Sequence, residues 1–111
     1  MKSDKEPTYT WIPDLSRHQR IPEDGILTRT LRDDEQTKVV LFTFSGGQEL
    51  SEHTASSPAI LHFIAGEAEV TLGEDGLTAG PGTWVHMPAH LSHSIRTRGP
   101  VIMLLVLIKA S

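Results

Sequence analysis

Imidazole is the one reactive group that this sequence carries in excess. Six histidines occur in 111 residues, and five of them (His53, His62, His86, His90 and His93) fall between residues 53 and 93; cysteine is absent. Without thiols there is no disulfide framework, no thiolate zinc site and no cysteine nucleophile, so a metal would have to be held by imidazole nitrogen and carboxylate oxygen. Neutral imidazole can be buried without a charge penalty and binds first-row divalent metals at about 2.0–2.1 Å. Metal-free acid–base chemistry has less to draw on, because it needs a histidine with an orienting partner or a tyrosine, and the single tyrosine is Tyr9, far from the histidines in sequence.

The elements that must position these side chains read as β-strands. Short apolar and β-branched runs alternate with Gly, Pro and Asp punctuation, a spacing typical of all-β sandwiches and barrels. Strands are expected at 26–32, 37–44, 49–54, 59–65, 67–72, 76–78, 83–87, 93–98 and 101–108, separated by turns such as Asp33 to Glu35, Ser45 to Gly47 and Gly73 to Gly76. The acidic run Asp33 to Glu35 reads as a solvated turn. Residues 1–20 differ: Pro7 and Pro13 interrupt any pattern, and Trp11, Ile12 and Leu15 are the large apolar side chains, so an arm or a single helical turn is expected. The division is therefore an N-terminal arm, 1–20, and a barrel, 21–111. Phe42, Phe44, Phe63, Trp84 and Met87 are expected to fill the core.

From Gly47 onward the chain resembles the cupins, small jelly-roll barrels whose two motifs place metal ligands inside the barrel. Gly47 and His53 reproduce the Gly-x5-His opening of the first motif. Phe63 through Val70 resembles its closing strand and turn, and Gly82, Pro88 and His93 match the second motif. Other positions depart from it. Ala55 stands at the second His of the first motif, Ala59 at its Glu, His90 at the Gly of Pro-x-Gly and Thr97 at the final Asn. The resemblance is to small single-domain bacterial cupins of the RmlC-like jelly-roll family, in a subgroup with a degenerate first metal motif. It implies an all-β, double-stranded β-helix (cupin jelly-roll barrel) with a short irregular N-terminal arm. Of the usual four ligands it leaves His53 and His93.

Alternation of side chains across a strand sorts the remaining candidates. If the alignment holds, His53 and His93 point into one cavity from adjacent strands. They would then hold a divalent metal (Fe, Mn, Ni or Zn) or hydrogen-bond a ligand or water. His62 has the parity of Ile60 and Ile64, away from the cavity unless a bulge near Pro58 shifts the register. His86 shares its face with Trp84, opposite the core. Glu49 has the parity of His53 and could supply a carboxylate for a two-histidine, one-carboxylate set. His90 sits in the loop before His93 and His18 reads as a surface residue. No organic cofactor is expected.

Composition narrows the function classes. A net charge of −4, with no clustering of the ten Lys and Arg, disfavours a nucleic-acid partner. The start of the chain lacks the apolar core of a signal peptide, and the longest apolar run, 101–108, is far shorter than the ~20 residues that span a bilayer, so no membrane partner and a cytoplasmic location are expected. Strands 59–65 and 101–108 are apolar on both faces; one face fills the barrel, and the other needs the arm or a second subunit, which suggests a homodimer. Two function classes stay open: a stand-alone barrel that binds a small molecule, with or without metal, and a metal-dependent enzyme of oxygenase or isomerase type acting on a small organic substrate. The fold alone does not choose between them.

Overall fold

The structure, a computed structural model, describes residues 7–109, with Glu52 and His53 described by their backbone alone. Nine strands follow a 3-10 turn at Leu15–Arg17: β1 Ile26–Asp33, β2 Thr37–Phe44, β3 Glu49–His53, β4 Ala59–Ala65, β5 Ala68–Leu72, β6 Asp75–Ala79, β7 Trp84–Met87, β8 His93–Thr97 and β9 Val101–Ile108. They form two antiparallel sheets, ordered β1-β2-β9-β4-β7 and β3-β8-β5-β6, which face each other as a jelly-roll barrel. Every expected strand is present, with ends displaced by one residue at most, because Gly, Pro and Asp mark the ends of strands more sharply than apolar residues mark their interiors.

Alternation places odd-numbered residues of β4 and β9 between the sheets, and the packing along them is uneven. At one end Phe44, Phe63, Val101, Ala68 and Val70 close the core completely. Toward the other end of β9, Leu105 and Leu107 become half-buried. The barrel is thus plugged at one end and hollow at the other. Phe42 and Phe44 stack with ring centroids 5.9 Å apart, the first facing the hollow and the second the plug.

The plug is secured by buried polar contacts at the turn after β2. Thr97, 2% exposed, accepts a hydrogen bond at Oγ1 from the Gln48 amide (2.9 Å) and donates to the Ser45 carbonyl (2.9 Å). Asp34 closes the β1–β2 turn. Its carboxylate accepts from the amides of Thr37 and Gln36 and from Arg32 Nε, each at 2.9 Å, and these contacts, led by the Thr37 amide, hold its carboxyl far below the usual carboxylate range. Lys109 donates to Asp33 Oδ1 and to the Asp34 carbonyl. The acidic run is the solvated turn expected, with Asp33 and Glu35 exposed, and these contacts also make it a closure.

Residues before β1 lie across the outer face of the five-stranded sheet. Asp14 caps the 3-10 turn through the Ser16 amide, Gln19 Nε2 donates to the Leu27 carbonyl and to Thr43 Oγ1, and Thr43 Oγ1 donates to the Arg20 carbonyl. Leu41, Thr43 and Ile102, all on that outer face, are consequently buried within the chain itself. Trp84 is a correction to the expected core. It sits on the edge strand β7, opposite His62 on the outward face, and is 60% exposed. An indole is a strong core signal by composition, but face parity decides where it goes. No helix among the described residues is long and apolar enough to cross a membrane.

Candidate functional site

The hollow end of the barrel encloses a cavity of about 220 Å³. The five-stranded sheet contributes Phe42 from β2, Ala59 and Leu61 from β4, Met87 from β7, and Met103, Leu105 and Leu107 from β9. The four-stranded sheet contributes Leu50, His93 and Ile95, and the loops 54–58 and 88–92 close over it with Ala55, Ser57, Pro88 and Leu91. The His90 amide donates to the Ala55 carbonyl at 2.7 Å and ties the two loops together. Both alanines that stand at motif ligand positions, Ala55 and Ala59, are cavity wall; small apolar side chains there leave space where longer polar ones would fill it.

Among the described lining residues His93 is the titratable side chain. It is 8% exposed, and its Nδ1 lies 3.0 Å from the Leu91 carbonyl oxygen. A carbonyl can only accept, so Nδ1 carries the proton and, in the neutral ring, the lone pair is at Nε2. That arrangement also fixes the ring's orientation, as a carbonyl partner does for metal-binding histidines.

Residue 53 is brought to His93 by an irregularity. Leu50 pairs with Ile95 and His53 with His93, so β3 spends three residues where β8 spends two. The extra residue in β3 is a bulge, and it resets the alternation by one. The His53 backbone thereby stands opposite that of His93; its side chain lies outside the described residues. The same bulge corrects the expectation for Glu49. Leu50, on the other side of the irregularity, is the residue that faces the cavity, whereas Glu49 is exposed and lies 3.8 Å from Arg96 on the outside of the sheet.

The other histidines are not gathered at the cavity. His62 is half-buried on the outer face opposite Trp84, and His86 is exposed on that face opposite Ile60. The irregularity in β4 falls between Phe63 and Ala65, beyond His62, so it does not turn the ring inward. His62 and His86 therefore stand outside a cavity metal site. His90 is exposed and adopts φ 71°, the left-handed conformation, at the motif's glycine position. Histidine is among the side chains that enter this region more readily than most.

Among the described residues no three His, Cys, Asp or Glu side chains come together, and the cavity wall offers one imidazole. Metal sites ordinarily use three or four protein ligands. The described donor set falls short of a resident metal site. What it offers chemically is an oriented imidazole in an apolar hollow.

Comparison with known proteins agrees with this architecture. The cupin domain family model matches residues 40–108, and the chain belongs to that family. A conserved protein of unknown function from Streptococcus pyogenes superposes with a TM-score of 0.84 at 27% identity, covering 95% of this chain and 92% of that one. A cupin superfamily protein from Desulfitobacterium hafniense gives 0.81 at 24% identity, covering 94% of each. KdgF from a Halomonas species gives 0.78 at 19% identity, covering 93% and 96%, a likeness of fold alone. No curated protein matches the sequence.

Proposed function

We propose that this cupin binds a small organic molecule in the hollow end of its barrel, with His93 as the polar contact and His53, opposite it in the ladder, as a second. The observation that carries this reading is the cavity of about 220 Å³, lined by apolar side chains from both sheets around one oriented imidazole. Binding pockets combine an apolar wall with a few placed polar groups in this way. The test is a thermal-shift screen of small organic compounds against the wild-type chain and Ala59→Leu, which places bulk in the hollow from β4. Compounds that raise the melting temperature of the wild type and not of the variant are expected. A screen in which every stabiliser acts equally on both would overturn the reading.

A second reading, a metal-dependent enzyme of oxygenase or isomerase type, draws support from the register that sets residue 53 against His93. In it the two imidazoles share Fe, Mn, Ni or Zn. Elemental analysis of untagged protein beside a His53→Ala/His93→Ala double variant decides it. Near one metal per chain, lost in the variant, supports this reading; no metal in either after incubation with all four retires it.

The outer face of the five-stranded sheet supports a homodimer. Trp84 is exposed there, and Ile60, Val106 and Ile108 stay half-exposed beside it, whereas the segment before β1 lies over Leu41 and Ile102 and brings Ile12 and Leu15 to Leu104. A second copy of the chain is the occupant we propose for this apolar area.

A further inference from the structure

Resting on the homodimer reading of the outer sheet face, we infer that this interface is proton-sensitive: His62 and His86 let two copies associate while neutral and part them once protonated. The uncovered area of that face is carried by β4, β7 and β9, and none of these strands contains a Lys, Arg, Asp or Glu. A patch at a two-fold axis meets its own copy, so every fixed charge near the axis would face like charge. This patch has none, which favours a second copy of the chain over a partner of opposite charge. His62 and His86 are the side chains on these three strands that can become charged.

Strand pairing sets both rings among apolar neighbours. His62, half-buried, lies opposite Trp84 on β7 and Leu104 on β9, and His86, exposed, lies opposite Ile60. Neither ring is held by a hydrogen bond or an ion pair among the described residues. Of the elements packed against β4, β9 brings no titratable group and β7 brings His86. The 3-10 turn brings Arg17, with Asp14 and His18 at its caps. Arg17 has the sign of an imidazolium, and the Asp14 carboxylate already accepts from the Ser16 amide and hydroxyl. Neutral imidazole enters an apolar interface without a charge penalty. Imidazolium there loses its hydration, finds no counter-charge on these strands and meets like charge from the other copy. The monomer therefore binds protons that the dimer excludes, and association weakens as pH falls through the ordinary imidazole range near 6.5. At about one pH unit below that, each ring kept neutral weakens association about tenfold, so His62 of both copies together gives about 100-fold.

The test measures the dimer dissociation constant of the full chain by sedimentation equilibrium at about pH 8 and about pH 5.5, with far-UV circular dichroism at each pH as a check on the fold. The lower value stays above the range in which the Asp34 carboxyl takes up its proton, so the β1–β2 turn is kept. The wild-type dissociation constant is expected to rise about 10- to 100-fold at the lower pH. His62→Gln/His86→Gln replaces both rings with side chains that stay polar and cannot gain charge; its two constants should agree within about twofold. His62→Gln and His86→Gln singly apportion the effect, and the wild-type pair of measurements stands without any variant. A wild-type dimer with the same constant at both pH values overturns this inference and leaves the homodimer intact. A rise that persists undiminished in the double variant overturns the role of His62 and His86. A chain that is monomeric at the higher pH up to about 1 mM overturns the homodimer reading, and this inference with it.

Discussion

Gly66 joins the two sheets between β4 and β5, and replacing it with alanine should be the most damaging single-methyl change in this barrel. Two separate physical costs coincide there. Its φ is +85°, where a Cβ is disfavoured by roughly 1–2 kcal/mol. A Cβ at this position would also stand 2.0 Å from the Pro100 carbonyl oxygen and 2.9 Å from Val101 Cα. Both are backbone atoms at the entry to β9, so no rotamer change relieves the overlap. Reaching ordinary contact at 3.4 Å requires the β8–β9 connection to retreat by about 1.4 Å, away from the plugged end of the core. Overpacking of this kind costs typically 1–3 kcal/mol, while the alanine recovers about 0.4–1 kcal/mol by restricting the unfolded chain. The predicted net loss is about 1–4.5 kcal/mol. Gly82→Ala is the control, since φ is +91° there but nothing lies within 4 Å of its Cβ; its net loss should be about 0–1.5 kcal/mol. In urea, with a slope of about 1.5 kcal/mol/M, Gly66→Ala should lower the midpoint by roughly 0.7–3 M and Gly82→Ala by less than about 1 M, Gly66→Ala always by the more. Equal midpoints for the two variants would refute the steric half of the argument, and no loss in either would refute both halves.

Thr97→Val keeps the shape but strips the partners from the Gln48 amide and the Ser45 carbonyl, and should cost about 1–3 kcal/mol in urea unfolding; Thr97→Ser should recover most of this, and parity between Val and Ser would contradict it. Asp34 has a folded pKa below its unfolded value, so its stabilisation is complete above about pH 4 and is lost as pH falls through the lower folded value. Asp34→Asn should therefore lower the urea midpoint at neutral pH and flatten its decline below about pH 4; an unaltered acid slope would remove the carboxylate from the account. Val106→Lys, on the half-exposed outer face, should convert the proposed dimer to a monomer in sedimentation equilibrium, and an unchanged mass would rule out that face as the interface.

The strand pattern was legible because it depends on local punctuation, and the turn glycines, Pro88 and the alternation along β4 and β9 all carry that information in the residues themselves. The cavity wall was only partly legible. Ala55, Ala59 and His93 could be marked from motif positions, but Leu50, Leu91 and Leu107 come together only through pairings between strands distant in sequence. Glu49 shows where local reading stops. Its parity with residue 53 is correct for an unbroken strand, and nothing in Leu50, Ser51 and Glu52 announces that one residue will be spent on a bulge. The anticipated irregularity near Pro58 falls instead beyond Phe63, where the chain approaches Gly66. Trp84 departs from expectation for a different reason: its parity with His86 sets it on the outer face, and on an edge strand position outweighs side-chain type.

The four departures from the family's motifs have a common physical consequence. Ala55 and Ala59 place methyl groups where the motif places a metal-binding imidazole and a carboxylate, and both now line an apolar hollow. Thr97 is directed into backbone pinning, its hydroxyl consumed by Gln48 and Ser45, so it contributes rigidity at the plugged end and no polarity at the hollow end. His90 takes the glycine position at φ 71° with its ring exposed, while its amide still joins the two mouth loops. Ala55 and Ala59 carry no polar group into the wall, Thr97 turns its hydroxyl toward the backbone and His90 turns its ring to solvent, so none of the four supplies a charge among the described lining residues. The oriented His93 ring is the imidazole that remains in the wall among the described residues.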